Sequence, residues 1–228
     1  MIPILVAWRP DQGHRDQIWK HLRTHYWDNL PYRIVEGASP DGPFNRAAAV
    51  NAAAHHAAEW DVAVIADADT WVPAHRLAHA VTEAQQTGKL VAAFNHVLEL
   101  SETSTHRILS GEHQQIFDLD ICNVRITEII TQSSMLAIPR TLWDKAGGMD
   151  EQFLGWGGED NAFWYVCRAL AGEPIRLPGP AFHLWHEPAL DCMIRMNDPQ
   201  YRKNLNRWQQ LSRARTPQQL AAIQARLR

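Results

Sequence analysis

Between residues 2 and 94, short β-branched apolar runs alternate with longer stretches of helical spacing, and this alternation restricts the fold more than any other feature of the chain. Residues 2–8 read as a first strand. Over 14–27, Ile18, Trp19, Leu22 and Tyr26 recur three or four residues apart and so share one helix face. Tyr32-Arg33-Ile34-Val35 is a second strand, Ser39-Pro40-Asp41-Gly42-Pro43 a turn cluster, and Phe44 to Trp60 an alanine-rich helix. Val62-Ala63-Val64-Ile65-Ala66 is a buried strand. Pro73 suits the first position (N1) of a helix that runs to about Thr87, and Leu90-Val91-Ala92-Ala93-Phe94 is a fourth strand. Strands and helices in alternation imply an α/β fold with a mostly parallel central sheet flanked by helices.

The pattern breaks over residues 95–125, which are polar with little periodicity. A stretch of that length reads as a lid or binding insertion. Met135-Leu136-Ala137-Ile138 resumes as a strand. A short helix from Thr141 to Ala146 closes at Gly147-Gly148, a helix covers roughly 160–171, and a strand lies around 180–185. The end of the chain is helical, with a break at Thr216-Pro217. The expected organisation is one domain over 1–190 and a basic helical extension over 191–228 packed on it.

No run is long and apolar enough for a membrane span. Met1 to Trp8 lacks a basic flank and a cleavage site, so it is read as a strand and not a leader. Cys122, Cys167 and Cys192 have neither metal-type nor disulfide-framework spacing, which points to a reducing, cytoplasmic setting. The net charge of −3 argues against a generally nucleic-acid-coating surface. The charge is uneven: residues 199–228 hold seven Arg or Lys and no acid, which leaves the remainder at −10. Either this tail is a solvated helical face leaning on the acidic body, with Leu205, Trp208 and Leu211 as its apolar stripe, or it recruits an anionic partner such as nucleic acid.

Three clusters carry chemistry. Gly155-Trp156-Gly157-Gly158-Glu159-Asp160-Asn161 joins a flat aromatic ring to two carboxylates through glycines. A ring for the apolar face of a pyranose, acceptors for its hydroxyls and an acid able to take a proton form a sugar-handling set. A Gly-rich turn into a helix with acids in its first turn accounts for the same string. Asp67-Ala68-Asp69 follows a strand at the end where α/β sheets place ligands. Alternation points both carboxylates the same way while the strand lasts, and such a pair suits Mg²⁺ or Mn²⁺; a solvated strand end would look alike. His183 and His186 lie three apart in Phe182-His183-Leu184-Trp185-His186 and could complete a Mn²⁺ site, though the chain has twelve His.

With these blocks in view, the chain resembles the GT-A glycosyltransferases, most closely the β-1,4-galactosyltransferase type, with related bacterial sugar transferases and polypeptide N-acetylgalactosaminyltransferases. Phe44-Asn45-Arg46-Ala47 is similar to the family's nucleotide-contacting block, Asp67-Ala68-Asp69 to its metal-binding Asp-x-Asp, and Gly155-Trp156-Gly157-Gly158-Glu159-Asp160 to its Trp-Gly-Gly-Glu-Asp block. His183-x-x-His186 occupies the place of a Met-x-x-His. The likeness spans about residues 2–190. It implies a GT-A fold and metal-dependent transfer from a UDP-sugar donor to a hydroxyl acceptor. By the same resemblance Asp160 is the base with Glu159 beside it. Phe44, Arg46, Arg9, Asp67, Trp156 and Gly158 bind the donor, and Asp69, His186 and His183 hold Mn²⁺ (or Mg²⁺). Trp156 would close over the donor on glycine hinges. The alternatives are a retaining transferase on the same fold, a metal-dependent hydrolase, and an inactive carbohydrate-binding relative.

Overall fold

The computed structural model describes residues 1–112, 119–126, 133–187 and 197–227. Cys192 lies outside them. The strands are β1 (Pro3–Trp8), β2 (Arg33–Ala38), β3 (Val62–Ala66), β4 (Thr70–Trp71), β5 (Val91–Ala92), β6 (His96–Leu100), β7 (Ile121–Ile126), β8 (Met135–Pro139), β9 (Ile175–Arg176) and β10 (Pro180–His183). The α-helices are α1 (His14–His25), α2 (Arg46–His56), α3 (Ala74–Thr87), α4 (Glu102–Leu109), α5 (Arg140–Ala146), α6 (Glu159–Ala171), α7 (Pro199–Leu211) and α8 (Pro217–Leu227). None of the described helices is long and apolar enough to cross a membrane.

One sheet has the order β2-β1-β3-β8-β5-β9. It is mostly parallel, with β8 running against both β3 and β5. The strands β1, β3 and β8 are apolar along most of their length because both faces are covered: Ile4, Leu5, Val6, Val64, Ala137 and Ile138 are fully buried. A second sheet, β4-β10-β6-β7, has no counterpart in the sequence reading. Residues 95–125 are therefore not an irregular insertion. They supply β6, α4 and β7, with residues 113–118 outside the description. The period-2 signal of β6 is faint because only Val97 and Leu100 of His96-Val97-Leu98-Glu99-Leu100 are wholly buried. Ser101 starts α4 by accepting a hydrogen bond from the Ser104 amide, a cap that stabilises a helix by about 1 kcal/mol.

The alanine-rich helix is shorter than its composition implies. It starts at Arg46, where the Asn45 side chain accepts from the Ala48 amide at 2.9 Å, and stops at His56. Pro73 caps α3 and does not occupy N1; its ψ of 133° is extended. The small residues of α2 serve close approach to β2. A Cβ on Gly37 would lie 1.8 Å from the Ala49 carbonyl oxygen. Gly37→Ala is expected to force the helix off the sheet and destabilise the fold by about 3 kcal/mol, the upper range for overpacking. A urea midpoint unchanged from the parent would contradict that contact.

The C-terminal helices close a second core, in which Leu211, Ala214, Leu220 and Ile223 meet Phe153, Ala162, Val166 and Ala169. Each fully buried large aliphatic side chain stabilises the fold by about 1.5–3 kcal/mol. Of the expected stripe, Leu211 is buried and Leu205 and Trp208 are half-buried. Arg207 pairs with Asp150 at 2.6 Å, so at least one tail charge answers an acid of the body.

Candidate active site

β3 ends at Ala66, and the two aspartates that follow diverge. Alternation does not extend through Asp67-Ala68-Asp69: the Asp67 amide makes one last contact with the Ser134 carbonyl beside β8, and the chain then leaves this sheet to enter β4 of the second sheet at Thr70. Asp67 turns to Arg46, the first residue of α2. One of its oxygens accepts from Arg46 Nη2 at 2.6 Å and Nε at 3.2 Å. Arg46 Nη1 donates to Asp160 in the first turn of α6. A single guanidinium thus joins two carboxylates from separate elements.

Asp69 turns the other way, toward the histidines. β4 and β10 pair antiparallel with Thr70 opposite His183, and the Leu184 amide donates to the Asp69 carbonyl at 2.9 Å. This pairing places His183 Nε2 3.7 Å from one carboxylate oxygen of Asp69 and His186 Nε2 3.1 Å from the other. The three atoms that could ligate a cation lie within 4.8 Å of one another. His186 Nδ1 is 2.9 Å from the Glu187 carbonyl. Both neighbours are acceptors, so the ring as placed donates from both nitrogens; a cation at Nε2 would displace the proton shared with Asp69, while the Glu187 carbonyl keeps the one on Nδ1. Arg15, from the first turn of α1, reaches within 3.3 Å of both His186 ring nitrogens. No feature of the sequence marks it, since an arginine on a helix surface is ordinary.

The two halves differ electrostatically. Burial alone would raise the Asp69 carboxyl, but His183, His186 and Arg15 outweigh it and hold it well below the usual carboxylate range. Asp69 is therefore ionised at any physiological pH. Burial lowers His183. Burial also acts to lower His186, but the Asp69 hydrogen bond reverses the shift and raises it. Around Arg46 the signs are reversed. Burial works against its charge, and Asp160, Asp67 and Glu159 together more than compensate. Three acids share one cation, and burial pushes Asp160 up to about 8, with Glu159 and Asp67 reinforcing the shift against Arg46. Glu159 is raised by burial as well.

The glycine loop leads into this acid pair. Gly155, Gly157 and Gly158 have φ of 68°, 96° and 95°, a region open to glycine at little cost. Trp156 between them is 53% exposed and its ring lies 5.3 Å from that of Tyr201. The Gly155 amide donates to the Phe44 carbonyl at 3.0 Å, which ties the loop to the Phe44-Asn45-Arg46 segment. Arg9 donates to Gly42 O, Ser39 Oγ and Pro40 O and lies over the Phe44 ring at 5.3 Å. Arg9 and Phe44 thus form a group of their own along the turn that precedes α2. The contacts from α7, Tyr201 among them, have no signal in the sequence.

Comparison with known proteins bears on the fold that carries these residues. A family model described as the N-terminal domain of galactosyltransferase matches residues 120–185. No curated protein sequence matches the chain. The catalytic domain of Drosophila β1,4-galactosyltransferase 7, solved with xylobiose, is similar with a TM-score of 0.51 and 18% identity, over 77% of this chain and 63% of that one. A mutant of the Drosophila enzyme solved with manganese, UDP-Gal and xylobiose has a TM-score of 0.51 and 16% identity over the same shares. GalNAc-T7, solved with UDP, GalNAc and Mn²⁺, has a TM-score of 0.53 and 12% identity, over 90% of this chain and 40% of that one. The chain spans less than two thirds of the length of each of these structures. Its architecture is the GT-A fold of nucleotide-sugar transferases. Within that class it resembles the galactosyltransferases.

Proposed function

We propose that this chain is a metal-dependent glycosyltransferase that moves a sugar from a UDP-sugar to an acceptor hydroxyl with inversion. The observation that carries the reading is the carboxylate–imidazole cluster of Asp69, His183 and His186 just past the end of β3, where the neighbouring Asp67 is joined through Arg46 to Asp160, an acid of raised pKa. Supporting it are the fold, and the Mn²⁺ with UDP-Gal or UDP held by two of the similar structures.

A donor set of one carboxylate and two imidazoles favours Mn²⁺ over Mg²⁺, which prefers oxygen ligands and retained waters. Asp69, His183 and His186 would hold Mn²⁺, which would supply positive charge against a departing diphosphate. The other contributions come from the protein. Arg46 is held charged by three acids and offers a fixed cation beside Asp67. Phe44 and Arg9 present a stacked face for the base. Trp156 offers its exposed ring to the sugar. The acceptor oxygen forms a bond to the anomeric carbon as that carbon's bond to the diphosphate oxygen breaks. UDP leaves with the bonding pair, and Asp160 takes the hydroxyl proton. A base with a pKa near neutrality suits this step better than an ordinary aspartate.

The test needs no acceptor. The protein is incubated with a panel of UDP-sugars, with Mn²⁺ or with EDTA, and UDP release is measured. Metal-dependent release from one donor is expected, with water as a slow acceptor. Absence of both release and Mn²⁺-dependent UDP binding would remove the reading. Once an acceptor is found, the anomeric configuration of the product by NMR separates inversion from retention.

A further inference from the structure

Helix α7, the first of the two C-terminal helices, touches the Leu154–Gly158 segment at successive points. Asn204 is 1% exposed. Its Nδ2 donates to the carbonyls of Leu154 at 2.9 Å and Trp156 at 3.3 Å, while its Oδ1 accepts from Gln200 Nε2 at 3.0 Å. Tyr201 lies three residues earlier on the same helix face. Its ring packs against Trp156 and covers Gly157, where a Cβ would come within 2.9 Å of Tyr201 Cε2. The Asn204 carbonyl lies against Gly158, with 3.3 Å to a Cβ built there. From the other side, Phe44 accepts from the Gly155 amide.

A buried amide is costly unless its hydrogen bonds are made, and Asn204 makes them to the loop. At this position a leucine would merely extend the neighbouring apolar core. The loop, for its part, has three positive-φ glycines, and its large side chains, Leu154 and Trp156, are exposed and anchor it little to the core. Left alone, such a segment visits many conformations. Gly158 caps α6 directly before Glu159 and Asp160, so any freedom in the loop passes to the acids.

We propose that Asn204 and Tyr201 are positioning residues for the transfer reaction, an assignment that rests on the transferase reading above. Together they hold Trp156 at the mouth of the site and fix the turn that aims Asp160. Neither has to touch donor or acceptor. The basic tail is then part of the active-site scaffold and not an appendage to it.

The test compares Asn204→Ala, Tyr201→Ala and Tyr201→Phe with the parent, all as the full chain. Two quantities are measured: hydrogen exchange of the loop peptide, and kcat and KM for metal-dependent UDP release. In both Ala variants the amides of residues 154–158 are expected to exchange faster, while β1 and β3 keep their protection. A displaced active-site group costs about 10- to 100-fold in kcat, and that loss is expected with the Mn²⁺–UDP affinity unchanged. Tyr201→Phe retains the ring and is expected to restore kcat to within about two-fold, the signature of a packing role and not of proton chemistry. If Asn204→Ala fails to fold, the two Tyr201 variants carry the comparison. Unchanged loop exchange in the Ala variants, or faster exchange with kcat intact, overturns the proposal. A parent that releases no UDP from any donor overturns the transferase reading and the catalytic role with it; the exchange data then decide separately whether α7 holds the loop.

Discussion

Asp69→Ala and His186→Ala are each expected to abolish Mn²⁺-dependent UDP binding at micromolar metal while leaving the fold intact. The side chains contribute adjacent donor atoms, with His186 Nε2 3.1 Å from Asp69. Residues that only orient a metal ligand carry about 10–100-fold in affinity, so a ligand itself should carry more. The fold should survive because both residues sit at strand ends and the core is elsewhere. Calorimetric titration of Mn²⁺ in the presence of UDP checks this, with thermal unfolding as the control. Metal affinity equal to the parent's in both variants would remove the cluster from the mechanism. His183→Ala belongs in the same series, since its Nε2 is the more distant from Asp69, at 3.7 Å.

Asp160→Asn is expected to lower transfer by about 10²–10⁴-fold, the usual contribution of a general base, with UDP and Mn²⁺ affinity preserved. Asparagine keeps an oxygen for Arg46 but cannot accept the hydroxyl proton. The pH dependence supplies a second readout. The Asp160 carboxyl is pushed up to about 8, so most of the protein holds it protonated at neutral pH. A base must be ionised, and the rate should therefore rise with pH through neutrality and level off above about 8. Asp160→Asn should lose this ascending limb. A variant within a few-fold of the parent, or one that keeps the limb, would show that the proton goes elsewhere.

Some of this protein was readable locally. β3 is five residues of β-branched and small apolar side chains, and Val62–Ala66 is where it lies. The helix after the glycine turn starts at Glu159 because Gly158 can cap it in a left-handed conformation. α5 ends where Gly147 allows the same. Period, caps and breakers act over a few residues, so the chain displays them without reference to the rest of the fold. The blocks around Arg46, Asp69 and Asp160 were visible for the same reason, because each is a short string of unusual composition.

The direction of β8 was not readable, and neither was the second sheet. The apolar run Met135–Ile138 looks the same whether its neighbours run parallel or antiparallel. Only its pairing in the folded sheet places it reversed between β3 and β5. β4 and β9 are two residues each, too short for any period. The chemistry shows the same division. The sequence alone determined which side chains could act, since residue type and local spacing decide what can ligate or take a proton. Tertiary structure decided the company each one keeps. It parted Asp67 from Asp69, placed Arg46 among three acids and so raised Asp160, and brought Asn204 and Tyr201 from the tail onto the glycine loop. Those outcomes depend on contacts between residues 21 to 114 positions apart, which burial and packing select and no local pattern encodes.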